Sequence, residues 1–488
     1  MVPVLLIAIP LLSGLVGFFI KNGNSAKNWS LFISLATLAV SVYGLTLDKA
    51  SSALHFEAEW IPSLGSKFSV ALDGMSQILS LLTAISFPII FIATYNKEYK
   101  APQKFYALML LSQAGLMGVF VSVDALLFYF FWELALIPVY FLSSIWGGEK
   151  RIQATFKFFI YTFVGSLLML VGIIYLYAHT SDHSFSLHSF YKLKTAISGK
   201  EQSWLFWLFF IAFAIKMPIF PFHTWQPDAY EQSPTAVTMV LSGVMVKMGL
   251  FGLIRWLAPV VPAGTWLWGD TASALCIIGM IYASLIAIQQ DDLKRLVAYS
   301  SIAHIGLMCL AVFATTETGL QGVMIQMFNH GINIIALWIV VELIERQLGT
   351  RKISELGGLA QKAPTLAILL VIVSLANVAL PLTNAFVGEF LMFSGIYSST
   401  ATTYNVVFTV TAGLSIILSA VYMLNMIQKV FFGNTNALTE NAKDIRWNEK
   451  AILAVVVIMI VVIGVFPQPA LELTKTTVQA ILEKMNYK

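Results

Sequence analysis

Residues 212–249 read AFAIKMPIFPFHTWQPDAYEQSPTAVTMVLSGVMVKMG, and this stretch decides the fold. Lys216 and Lys247 lie in segments otherwise apolar enough for lipid, with Pro218, Pro221, Pro227 and Pro234 between them. A proline lacks the backbone donor and clashes with the carbonyl four residues earlier, so the helix carrying Lys216 must break beside it. Broken backbone at membrane depth persists only where protein or enclosed water satisfies the freed groups. A titratable side chain at such a break points to an ion or proton site near the bilayer middle. The bland alternative is a lysine that snorkels to the headgroups. It fits Lys216 poorly, because residues 204–215 and 217–222 on either side are apolar.

The wider composition agrees. Of 488 residues, 58% are hydrophobic and 11% charged, against roughly a quarter charged in a soluble domain. The chain therefore reads as an all-α polytopic membrane protein. A formal net charge of +4 needs no nucleic-acid partner, since lysine and arginine retained on one membrane side account for it. Cys276 and Cys309 fall in apolar segments without metal-type spacing, and no glycine-rich phosphate fingerprint follows a strand. The residues thus offer neither an iron–sulfur nor a nucleotide site. The N-terminal MVPVLLIAIPLLSGLVGFFI lacks a basic start and reads as an uncleaved first span.

With about 20 apolar residues per crossing, the hydropathy predicts about 14 helices in a single membrane domain. The seventh, over 204–230, and the twelfth, over 364–399, are broken. Basic residues follow alternate spans: Lys21 and Lys27; Lys97, Lys100 and Lys104; Lys150, Arg151 and Lys157; Lys294 and Arg295; Arg346, Arg351, Lys352 and Lys362; and Lys429, Lys443, Arg446 and Lys450. The stretch with Asp48, Glu57, Glu59 and Asp73 reads as a net acidic loop on the other side. The positive-inside rule makes the odd-numbered loops cytoplasmic and both termini outward. In the second broken span Pro381, Asn384 and Gly388 interrupt the apolar run, and Glu389 is its ionisable group. The spacing from Lys216 to Glu389, applied to Glu133, lands near His304. Such spacing fits two inverted five-helix repeats, one over about 104–257 and one over about 267–432, flanked by 1–95 and 450–467.

Charges inside spans are costly, from about 2.5 to over 10 kcal/mol for a lone one at the bilayer centre. Glu133 nevertheless sits in LLFYFFWELALIPVYFL and Lys247 in VMVKMGLFG. Either is a structural ion pair or part of a proton site, and a carboxylate beside a buried lysine serves both. His304 and His330, each a plausible packing residue alone, join Glu133, Lys216, Lys247 and Glu389 as a possible polar row along the midplane. His223 and Asp228, between prolines in FHTWQPDAY, either guard proton entry or cap backbone. His179, His183 and His188 are loosely spaced and read as solvated loop residues rather than a metal site.

Three stretches carry a resemblance: FFWELALIPVY at 130–140, KMPIFPFHTWQPDAYEQSPT with GVMVKMG across 216–249, and DDLKRLVAYSSIAHIG at 291–306. Together they resemble the antiporter-like membrane subunits of respiratory complex I, the proton-pumping NADH–quinone oxidoreductase. The resemblance, over about residues 70–435, implies about 14 helices with two inverted five-helix repeats. It also implies a proton-translocating subunit seated among other membrane subunits, sister antiporter-like ones included, in an energy-transducing membrane such as the bacterial cytoplasmic membrane. Residue by residue, Glu133 would partner Lys216, Lys247 would lead through His304 and His330, and Glu389 would be the terminal site. No cofactor is expected in this chain; FMN, iron–sulfur clusters and quinone would belong to the rest of the complex. Glu389, where sister subunits typically carry lysine, and the chain's short extension after the last span favour the M-type (chain 4) branch. Tyr230 departs from a histidine common in relatives, and Gln226 and Ser233 depart from leucine and alanine. The alternative is a subunit of a multisubunit sodium/proton antiporter or of a membrane-bound hydrogenase.

Overall fold

Each proline-interrupted run folds as two short helices around an irregular elbow. The structure, a computed structural model, describes residues 1–486. The first half comprises α1 (Val2–Gly17), α2 (Gly23–Thr46), α3 (Gly74–Ala93), α4 (Pro102–Val121), α5 (Ala125–Trp146) and α6 (Arg151–His179). The first broken span is α7 (Gly199–Lys216) with α8 (Trp225–Gln232), followed by α9 (Thr235–Leu257). Then come α10 (Pro262–Ile288), α11 (Leu293–Phe313) and α12 (Glu317–Leu348). The second broken span is α13 (Pro364–Asn377) with α14 (Asn384–Tyr397), before α15 (Asn405–Phe431), α16 (Trp447–Val465) and α17 (Gln468–Met485). Among the described residues eleven helices are long and apolar enough to cross a membrane; the short α1 and the two broken spans complete the fourteen predicted crossings.

Contacts between connections show which ones share a face. Lys27 Nζ donates to the Tyr95 carbonyl, Trp146 Nε1 to that of Lys100 and the Gly148 amide to that of Gln232. Arg351 pairs with Glu231, and Asp292 lies in a β-bridge with Lys352. The predicted basic loops are thereby gathered on one side. Bridges from Val70 to Ser122 and from Asp124 to Ser186 gather the intervening connections on the other. The set α4–α9 thus starts on the basic face and α10–α15 on the opposite one, each with its break in the fourth span. That is an inverted arrangement.

Two elements were not anticipated. Residues read as a plain acidic loop form an antiparallel hairpin, β1 (His55–Ile61) and β2 (Ser66–Ala71), with Lys67 paired to Glu57 at 2.7 Å. Asp124 fixes this hairpin: its carboxylate accepts from the amides of Leu126, Leu127 and Lys67 and from Ser66 Oγ, each at 3.0 Å. One side chain therefore caps α5 and holds β2 against it. An N-cap and its charge-assisted hydrogen bonds are worth about 1–3 kcal/mol. Asp124→Ala should lose that much local stability, read as faster amide hydrogen exchange in residues 55–71 while the helical core stays protected. The second element is the amphipathic α17. It lies across the N-terminus of α3, where Thr477 Oγ1 accepts from the Gly74 amide at 3.0 Å.

Candidate functional site

The break after α7 is stabilised locally before it is used chemically. Met217 N bonds to the Phe213 carbonyl and Ile219 N to that of Ala214, both at 2.8 Å, and Trp225 Nε1 donates to the Ile215 carbonyl at 2.9 Å. The carbonyls that Pro218 would orphan are thus satisfied by the chain that wraps round them. Lys216, the last residue of α7, is 1% exposed and its Nζ has no hydrogen-bond partner. The ammonium stands over the Trp132 ring at 5.4 Å from its centroid, within the range of a cation–π contact. Glu133, the next residue on α5, lies within electrostatic reach, beyond hydrogen-bond distance of Lys216 Nζ. Each therefore feels the other's charge across a gap that no direct hydrogen bond spans.

On the other side of the break, α9 departs from regular geometry twice, in π-helical turns at Leu241–Met245 and Leu253–Leu257. Such single turns displace carbonyls from the normal ladder and recur at functional sites. Lys247 follows the first, is 0% exposed, and donates to the Ser242 carbonyl at 2.7 Å. Its Nζ also lies 2.9 Å from His330 Nδ1 on α12. The His330 and His304 rings are 5.7 Å apart between centroids. His304 Nδ1, on α11, approaches Glu389 Oε1, on α14, at 3.2 Å without the alignment of a hydrogen bond. Each histidine keeps its Nε2 without a protein partner. Lys247, His330, His304 and Glu389 therefore form one buried row. Gly249 joins it to the first lysine: a Cβ there would come 2.7 Å from the Phe213 carbonyl and 2.9 Å from Met217 N, so only glycine lets α9 press against the break.

His223 and Asp228 are not brought together. The His223 ring is buried beside Phe220 and Tyr282, with Nδ1 unpartnered. Asp228 sits at a polar notch in the basic face with Lys150, Lys157, Glu231 and Arg295, paired to Lys157 at 2.8 Å and to Arg295 at 3.2 Å. From there ion pairs continue: Arg295 to Glu231, Glu231 to Arg351, Arg351 to Glu345, and Glu345 to Lys294. Partial burial disfavours the charge on Arg351, yet Asp292, Glu345 and Glu231 together hold its pKa above the ordinary arginine value. His179, His183 and His188 are exposed, and among the described residues no His, Cys, Asp or Glu cluster could hold a metal ion.

Several buried polar groups escaped the sequence reading. Arg255 pairs with Asp73 at 2.6 Å, and Glu342, 3% exposed, pairs with Lys97 at 2.6 Å. Trp338 carries an indole nitrogen with no protein partner although it is fully buried, and Gln226 and Tyr230, noted in the sequence only as departures from relatives, are fully buried facing each other.

The site's elements lie within a match, over residues 122–467, to the family described as NADH:quinone oxidoreductase/Mrp antiporter, transmembrane. The chain is 36% identical over 490 residues to NADH-quinone oxidoreductase subunit M of Rickettsia typhi, covering 98% of each. It is 35% identical over 500 residues to F(420)H(2) dehydrogenase subunit M of Methanosarcina mazei, covering 99% of this chain and 98% of that one. Its fold superposes with a TM-score of 0.92, at 28% identity and over 100% of both chains, on a chain of respiratory complex I from Thermus thermophilus with bound NADH. With most of its length matched by the family and a relative at this identity spanning nearly all of it, the chain belongs to the NADH:quinone oxidoreductase/Mrp antiporter transmembrane family.

Proposed function

We propose that this chain is the M-type proton-translocating subunit of a membrane-bound, proton-pumping NADH–quinone oxidoreductase, seated beside sister antiporter-like subunits. The buried row from Lys247 through His330 and His304 to Glu389 carries the reading, because each member can hold or pass a proton. Glu133 and Lys216 form the loading site of the first half. Lys247 receives the proton, the histidines relay it, and Glu389 releases it toward the outward face. Asp228 and His223 stand near the basic-face entry. Electrons stay outside this chain: FMN, iron–sulfur clusters and quinone are handled by other subunits. Relatives named for NADH and for F(420)H(2) are almost equally similar, which suits a subunit that never meets the electron donor.

Moving one charge against 100 mV costs about 2.3 kcal/mol. Redox work must therefore alter a site's proton affinity by about fiftyfold. A change in hydration or in the Glu133–Lys216 separation can do that, because burial and a nearby carboxylate act on a lysine in opposite directions.

Glu389→Gln removes the terminal titrating group and keeps its shape. The assembled complex, in sealed inside-out vesicles supplied with donor and quinone, should pump protons at least fivefold more slowly, in sodium-free buffer as well as in sodium. Unchanged pumping would remove Glu389 from the path. Strict sodium dependence of the unaltered complex would favour the antiporter alternative.

A further inference from the structure

The basic ends of α11 and α12 hold charges that the row does not use. Glu342 Oε1 binds Lys97 Nζ at 2.6 Å, but Glu342 Oε2 is buried without a partner. Lys294, 4% exposed and paired to Glu345 at 3.3 Å, lies within electrostatic reach of both Glu342 and Lys97, as does the buried Tyr99 hydroxyl of Glu342. The same two helices carry the histidine pair. Glu342 stands twelve residues from His330 on α12, roughly 18 Å along the axis.

The space between is not uniformly apolar. On α12, Trp338 lies one turn above Glu342, with Nε1 unpartnered. Tyr230 of α8 packs edge-on to Trp338 at 5.9 Å between centroids, and its buried hydroxyl faces the Gln226 amide. On α11, Ser301 lies two turns above Lys294 and one below His304, with Oγ unpartnered. Buried polar atoms left without protein partners are normally satisfied by enclosed water. By helix position Trp338 lies between Glu342 and His330 on α12, and Ser301 between Lys294 and His304 on α11.

We propose that Glu342 is the mouth of a second proton-uptake path, running from the basic face past Trp338, Tyr230 and Ser301 to the histidine pair without passing Lys216, and that each turnover needs both Lys216 and the histidine pair to be loaded. The path rests on the reading of the row as a proton relay. Protons are only passed along it; no bond other than O–H and N–H forms or breaks. Lys97 takes one carboxylate oxygen of Glu342 and leaves the other buried and free to exchange a proton, and Tyr230 and Trp338 line the way for water.

The test compares Glu342→Gln, Trp338→Phe, Lys97→Met and Lys216→Met in assembled complex in inside-out vesicles. Glu342→Gln should slow pumping at least threefold and raise its solvent deuterium isotope effect, because proton uptake becomes limiting. Trp338→Phe keeps an aromatic ring at this position, removes Nε1, and should shift both readouts in the same direction, which keeps the proposal testable if the Gln variant fails to assemble. Lys97→Met should retain most of the pumping. Equal losses in Glu342→Gln and Lys97→Met, with no isotope change, would mean an ion pair that only clamps the loop and would overturn the proposal. Loss in Lys216→Met alongside normal pumping in Glu342→Gln and Trp338→Phe would overturn this path and leave the relay standing. Normal pumping in Lys216→Met would show that Lys216 loading is dispensable, and would overturn the requirement for both loadings.

Discussion

Lys216→Met should leave the complex assembled and lower quinone-coupled proton pumping at least tenfold. Methionine nearly matches the lysine stem in volume, and such swaps in packed interiors usually cost less than 1.5 kcal/mol. The ammonium has no hydrogen bond to lose, only the Trp132 face at 5.4 Å and the field of Glu133. Stability should therefore change little, by about 1–2 kcal/mol at most once the cation–π contact is counted. A structural spacer would behave in the reverse way, since removing one partner of a load-carrying buried ion pair costs about 3–5 kcal/mol and leaves transport untouched. Native-gel assembly together with vesicle acidification separates the two. Reduced assembly with normal pumping per complex would show that Lys216 only holds α7 to α5.

What the chain disclosed before its structure follows from how strongly each feature is tied to local physics. A proline removes a helix hydrogen bond, and where it stands with further breakers, as Pro218 does with Pro221 and Pro381 with Asn384 and Gly388, it marked the elbow; Pro10, Pro88 and Pro138 stand alone and remain inside continuous helices. Lipid excludes charge, so Lys216, Lys247 and Glu389 stood out against their apolar flanks. The order of the row was less legible: Lys247 meets His330 first, and only then His304, because α12 rather than α11 faces α9 at that depth. Lys97, Lys294 and Arg351 were read as loop charges counted for orientation, because a charge at a span end looks solvated until another element covers it. The hairpin had a usable signal in the turn residues of IPSLGS and the alternation of FEAEW. So had α17, whose buried Thr474, Thr477, Val478, Ile481 and Met485 recur at helical spacing. The π-helical turns of α9 had none, since they depend on what the helix packs against.

Gly249→Val tests whether the two halves of the row are joined mechanically. A Cβ at this position would stand 2.7 Å from the Phe213 carbonyl oxygen, 2.8 Å from Met217 Cβ and 2.9 Å from Met217 N. These atoms belong to the end of α7 and cannot swing aside as a flexible side chain would, so α9 itself must retreat. Overpacking of this kind costs about 1–3 kcal/mol. The functional effect should be larger. Lys247 lies two residues from Gly249, and its 2.9 Å approach to His330 leaves little tolerance. A misplacement of about 1 Å can cost a hundredfold in rate, so pumping should fall at least tenfold in complex that still assembles. Gly413 on α15 provides the control, because a Cβ there meets nothing within 4 Å. Gly413→Ala should pump normally and be slightly more stable, by up to about 1 kcal/mol, as alanine is the better helix former. Should Gly249→Val pump like Gly413→Ala, the contact between α9 and the break would be mere packing, and communication between Lys216 and Lys247 would have to run through water alone.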